Sequence, residues 1–272
     1  MMNRIQQTFA KTEDNKCMSL FITAGFPTIE DTVELVLGFE KNGADIIELG
    51  IPFSDPLADG PTIQYSSNLA ISNGITMNKI FDMVQQIRSQ SEIPLILMGY
   101  INPMLRYGLT SFFEKAQEVG VDGLIVPDLP LDEGHMIHDL ATTHGINIIN
   151  LIAPNTTNER MQLADQQSSG FVYCVSVTGV TGARDGSEVQ KSVDQFIERS
   201  KEHITNNPIM VGFGIKSYED ACNISKNVEG FIVGSALIEN IKEHFPKPEW
   251  KSEIFDFVHG LKFGYSKGVV ED

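Results

Sequence analysis

The stretch ELGIPFSDPLADGP, residues 48–61, holds three carboxylates in fourteen positions: Glu48 inside an apolar run, then Asp55 and Asp59 in a segment with three prolines. A carboxylate in an apolar strand is costly to bury unless it is paired or used. Desolvation there raises its pKa towards neutrality, the range in which one group can both give and take a proton. Pairing would need a Lys or Arg on a neighbouring strand, and none of the chain's apolar runs contains one. Glu48 therefore reads as an acid/base group. Asp55, followed by Pro56, fits a turn-forming aspartate as well as a functional one. Asp59 stands just before the helix-like run GPTIQYSSNLAI, so capping and catalysis both suit its position.

A second signal lies in the later half. VTGVTGARDG, GFGIKSYED and GSALIEN follow three successive apolar runs, and the last two open directly into helical patterns. Glycines let backbone amides approach a ligand, and helix N-termini favour anions. Together these loops read as a phosphate cradle, and the substrate as a molecule with a phosphate at one end and a reacting centre near Glu48.

The elements that must position these groups alternate along the chain. Eight strand candidates lie near residues 19–24, 45–50, 94–99, 122–127, 147–152, 171–177, 208–213 and 230–234. Amphipathic stretches such as IEDTVELVLGFEKNG separate them, with short joins that favour sequential packing. Eight such units in about 250 residues predict a single (β/α)8 TIM barrel over residues 1–272. It should carry an N-terminal cap helix near residues 2–12 and an extra C-terminal helix near 249–263. A doubly wound open sheet would show GxGxxG after its first strand, and FITAGFPT lacks it. In a barrel the strand ends meet at one face, so Glu48, Asp59 and the three glycine loops would share one site. If Ile46 faces the lumen, the period of two puts Glu48 there too.

Composition narrows the partners. Lys and Arg number 20 against 36 Asp and Glu, a formal charge of −16, which opposes nucleic acid or an anionic membrane. No run approaches the roughly 20 apolar residues of a membrane-spanning helix, and the N-terminal segment lacks a signal-like apolar core, so the expected location is the cytoplasm. Cys17, Cys174 and Cys222 follow no CxxC pattern and suggest neither disulfides nor zinc. His135, His138 and His144 read as solvated helix positions; no metal is expected.

The block ELGIPFSDPLADGPTIQ, with GYINP, VPDLP, VSVTGVTGAR, GFGI and VGSA following in order, resembles the tryptophan synthase alpha chain family over essentially the whole sequence. The resemblance implies a carbon–carbon lyase that cleaves indole-3-glycerol phosphate to indole and D-glyceraldehyde 3-phosphate, with Glu48 as proton shuttle and Asp59 accepting a hydrogen bond from the indole N–H. It implies phosphate contacts at Gly182, Gly212, Phe213, Gly214, Gly234 and Ser235. Phe21, Leu97, Tyr100, Ile152, Tyr173 and Phe213 would line the indole pocket or its rim, and Thr181 would bond Asp59 when the loops close. A pyridoxal-phosphate-containing beta subunit in an α2β2 complex is the implied partner, met through Pro52, Asp55, Pro56, Asn102, Pro103 and Asp128. This chain itself would need no cofactor. Two rivals are a phosphate-binding isomerase of similar architecture and a non-catalytic chain that only activates a partner.

Overall fold

The described strands are short, parallel and mostly buried, as runs covered by helices on one side and a filled lumen on the other must be. The computed structural model describes residues 2–12, 15–175 and 186–265, the side chains of 186–190 excepted. The strands are β1 (Cys17–Thr23), β2 (Ile46–Gly50), β3 (Leu95–Met98), β4 (Gly123–Ile125), β5 (Asn147–Ile148), β6 (Asn150–Ile152), β7 (Val172–Val175), β8 (Ile209–Gly212) and β9 (Gly230–Val233). They pair in the order β5-β4-β3-β2-β1-β9-β8-β7-β6. The two ends of that series are one piece of chain. β5 bonds to β4, β6 bonds to β7, and only Ile149 separates them, its N–H donating to the Leu124 carbonyl at 3.0 Å. The predicted fifth strand thus changes neighbours halfway and closes the TIM barrel.

Alternation sorts the core into two layers. Cys17, Ile46, Ile96, Ile125, Ile149, Phe171, Met210 and Ile232 pack in the lumen, whereas Ile47, Leu49, Leu95 and Leu97 face the surrounding helices. The cap helix, Arg4–Lys11, plugs the lower end with Ile5, and Phe9 meets Phe171 edge-on at 6.2 Å. Asn3 and Gln6 form a capping box that starts this helix, each side chain bonding the other's backbone N–H at 2.9 and 3.2 Å. Asp122, accepting from Arg4 at 3.1 Å and Arg88 at 2.8 Å, fastens the plug to the barrel floor.

The expectation of one helix per strand is corrected at two connections. Pro61–Ser72 and Met77–Arg88 both lie between β2 and β3, and Ile101–Tyr107 and Leu109–Val119 between β3 and β4. Gly74, at φ +77°, breaks the first pair, and the Thr76 hydroxyl restarts it by accepting from the Lys79 N–H at 3.3 Å. The C-terminal helix, Trp250–Phe263, lies on Asp31–Lys41, and Phe255 occupies the space a Cβ at Gly38 would need.

Candidate active site

Glu48 is fully buried and faces the lumen, one layer above Ile46. Its Oε1 accepts a hydrogen bond from the Ser19 hydroxyl at 2.7 Å, while Oε2 has no partner among the described residues. Burial pushes its carboxyl up to about 7, and the Ser19 bond opposes that rise. Tyr173, also facing the lumen, has its phenol raised well above the ordinary value by burial and then by the charge of Glu48.

Asp59 comes from the loop after β2. The helix that follows, Pro61–Ser72, takes Gly60 as its N-cap with no side-chain cap and Pro61 as its first residue. Asp59 is therefore not a cap, and its carboxylate is left for other work. Its N–H donates to the Pro56 carbonyl at 3.1 Å, which curls the loop tightly. The Tyr100 hydroxyl accepts from the Ala58 N–H at 2.9 Å and bonds the Asp59 side chain. Burial raises the Asp59 pKa and the Tyr100 bond opposes that rise. The helix itself is pinned by a 2.6 Å contact between the hydroxyls of Thr23 and Ser66, and by Thr62, which donates to Glu239 at 2.9 Å.

These parts surround a cavity of about 420 Å³, whose lining includes Phe21, Glu48, Asp59, Met98, Tyr173, Gly212, Gly214, Lys216, Ile232, Gly234 and Ser235. At the end away from Asp59, Gly214 adopts φ +66°, a left-handed turn open to glycine at little cost. Gly212 has a different reason: a Cβ there would lie 2.7 Å from the Tyr173 hydroxyl. Gly234 caps the helix Ser235–His244 without a side-chain bond, which leaves the amides of its first turn free for an anion at the cavity wall.

Most of the expected pocket residues converge here, with corrections. Leu97 and Ile152 belong to the layer under the helices; their neighbours Met98 and Leu151 take the lumen side, as period two requires. The Phe213 ring packs on Phe196 at 6.0 Å and does not line the cavity, which leaves only its backbone at the cradle. Tyr100 stands behind Asp59 rather than in the main cavity. Thr181 and Gly182 lie outside the described residues. Ser19, Met98, Ile232 and Lys216 were missed. For the first three the signal was there, since each lies an even number of residues from a lumen-facing neighbour.

Asp55, Asn102 and Asp128 are exposed around the same rim, Pro52 and Pro103 are half-buried, and Pro56 is buried. Asp128 also accepts from the Ile101 N–H at 2.9 Å, tying the loop after β4 to the helix after β3. Leu57, 96% exposed, is the most prominent apolar side chain of this rim.

A family model described as tryptophan synthase alpha chain matches residues 8–260. The tryptophan synthase alpha chain of Thermoanaerobacter sp. (strain X514) is 45% identical over 263 residues, which is 96% of this chain and 99% of that one. Among solved structures, tryptophan synthase subunit alpha from Legionella pneumophila str. Paris superposes with a TM-score of 0.87 at 38% identity, covering 96% of this chain and 98% of that one. A chain from the tryptophan synthase α2β2 complex of Pyrococcus furiosus gives 0.82 at 37% identity, covering 91% and 98%.

Proposed function

The chain belongs to the tryptophan synthase alpha chain family, which cleaves indole-3-glycerol phosphate to indole and D-glyceraldehyde 3-phosphate, and we propose that Glu48 and Asp59 divide this retro-aldol chemistry between them. The observation that carries the assignment is Glu48: fully buried, raised to about 7, with one oxygen held and the other unpartnered in the residue lining the cavity. In the protonated form it delivers its proton to indole C3. The bond from C3 to the glycerol carbon then breaks, its electron pair returns to the ring to restore aromatic indole, and the adjacent hydroxyl becomes the aldehyde. The hydroxyl proton goes to the Glu48 carboxylate, which regenerates the starting acid.

C3 protonation puts positive charge on the ring nitrogen. Asp59, ionised, accepts the N–H hydrogen bond and stabilises that charge. The phosphate sits at the opposite end, on the backbone of Gly212, Phe213, Gly214, Gly234 and Ser235. Phe21 and Tyr173 offer flat surfaces to the indole. All of these groups are side chains and amides of this chain, and the reaction as written needs no cofactor here.

The rim residues Pro52, Asp55, Asn102, Pro103 and Asp128, with the neighbouring Leu57, are the contact face for a pyridoxal-phosphate-containing beta subunit that receives the indole, in a cytoplasmic α2β2 assembly. The buried Pro56 shapes the loop rather than touching the partner. The test is indole release from indole-3-glycerol phosphate by the purified chain, with and without a beta subunit, and with Glu48→Gln as control. Slow release alone, faster release with the partner and none from the variant is the expected outcome. Full release by the variant refutes the role of Glu48, and an unchanged rate with the partner refutes the coupling.

A further inference from the structure

We propose that Ser19 is a positioning residue for the cleavage reaction: its hydroxyl anchors one oxygen of Glu48 so that the other alone is presented to the substrate. The inference rests on the role of Glu48 proposed above. Ser19 is fully buried on β1, and its hydroxyl donates to Glu48 Oε1 at 2.7 Å. Strand register places Ser19 opposite Ile46 and Phe21 opposite Glu48, so the hydroxyl approaches the carboxyl from the layer below and from the side away from the cavity mouth. Among the described residues no other polar side chain bonds this carboxyl, and Oε2 is left without a partner.

A glutamate side chain has three rotatable bonds and loses freedom only where something holds its end. Here the walls do not hold it by charge. The lumen residues around it on β2, β3, β4 and β9 are Ile46, Ile96, Ile125 and Ile232, and the plug contributes Ile5. Among the described residues, the titratable groups around it are the Cys17 thiol on β1, the Tyr173 phenol on β7, and Asp59, Lys216 and Glu239 of the same cavity lining; neither Lys216 nor Glu239 bears on the Glu48 carboxyl, which burial and Ser19 alone shift. Burial drives the first two above their ordinary values, so they stay neutral, and Asp59 bears the same charge as Glu48. Among the described residues Ser19 is thus the single group that both orients the carboxyl and favours its ionised form.

Two consequences separate this role from ordinary packing. Without the hydroxyl the carboxyl swings between rotamers, and turnover falls about 10-fold, a modest share of what a misplaced catalytic group costs. A donor to a carboxylate favours ionisation, so its loss also moves the Glu48 titration upward by about one pH unit. Because the protonated form starts the reaction, the alkaline limb of the rate profile moves up with it.

The experiment compares Ser19→Ala, Ser19→Val and Ser19→Thr in the full chain. Readouts are indole release against pH and a carboxyl-carbon NMR titration of Glu48, assigned by its absence in Glu48→Gln. Thermal unfolding verifies that each variant is folded. Ala and Val are expected to lose about 10-fold in kcat and to raise the midpoint and the alkaline limb together, while Thr, which keeps a hydroxyl, restores both. An unmoved midpoint in folded Ala and Val variants overturns the proposal, as does a folded Thr variant that behaves like Val. If Glu48→Gln itself retains cleavage, the reading of Glu48 has failed; if it is inactive while the Ser19 variants titrate normally, only the role of Ser19 has.

Discussion

Glu48→Gln should abolish indole release and, in the same molecule, stabilise the fold at alkaline pH. Burial raises the Glu48 carboxyl from 4.5 to about 7. The folded chain therefore holds this proton more tightly than the unfolded chain does. Such a group adds stability below its unfolded pKa and loses that contribution as pH rises through the folded pKa. At about 1.4 kcal/mol for each tenfold change in proton affinity, ionising Glu48 inside the barrel costs about 3 kcal/mol once pH exceeds 7. Glutamine has nothing to ionise, and its carbonyl can still accept from Ser19. Near pH 5 the two proteins should lie within about 1 kcal/mol of each other. At pH 8 the variant should be more stable by roughly 2–3 kcal/mol, or about 5–10 °C in Tm for a chain of this size. Thermal or urea unfolding at pH 5, 6, 7 and 8 measures this, and the pH dependence of every other group cancels between the two proteins. A stability difference that stays constant from pH 5 to 8 refutes the reasoning, for it would mean that Glu48 ionises as freely when folded as when unfolded.

Tyr100→Phe removes the hydroxyl that holds Ala58 and Asp59; because that hydroxyl favours ionised Asp59, its loss should raise the acid limb of the kcat profile and lower kcat about 10-fold. Lys216 is the one cationic side chain lining the cavity among the described residues, against Glu48, Asp59 and Glu239. Lys216→Gln should raise KM for the anionic substrate about 3- to 10-fold with kcat nearly unchanged and flatten the salt dependence of kcat/KM, and an unaltered salt dependence would count against it. Gly212→Ala drives a methyl to within 2.7 Å of the Tyr173 hydroxyl. It should lower stability by about 1–3 kcal/mol and weaken substrate binding, and pairing it with Tyr173→Phe should recover part of both.

How far the residues announce this arrangement depends on the range of the forces involved. The strands were legible because the period of two and a continuous apolar run are written locally, and Glu48 stood out for the same reason: it breaks that run. The same period of two marks Met98 and Leu151 as lumen residues, and Leu97 and Ile152 are corrected by applying it consistently. The division of the fifth strand is not local. Ile149 separates two pairings because the barrel closes there, and closure depends on β4 and β7, which lie far apart in the chain. The same period puts Ser19 in the lumen, but nothing local marks a lumen serine as functional until the register sets its hydroxyl within reach of Glu48. Asp59 shows where local rules stop. An aspartate before a helix suggests a cap, yet Pro61 takes the first helical position and Gly60 the cap, which places Asp59 one residue too early to bond the first turn. The side chain then turns to Tyr100, a partner 41 residues away that only the folded barrel brings near. Helix-capping chemistry alone could have excluded the cap, but only the tertiary contact identifies what the carboxylate does instead.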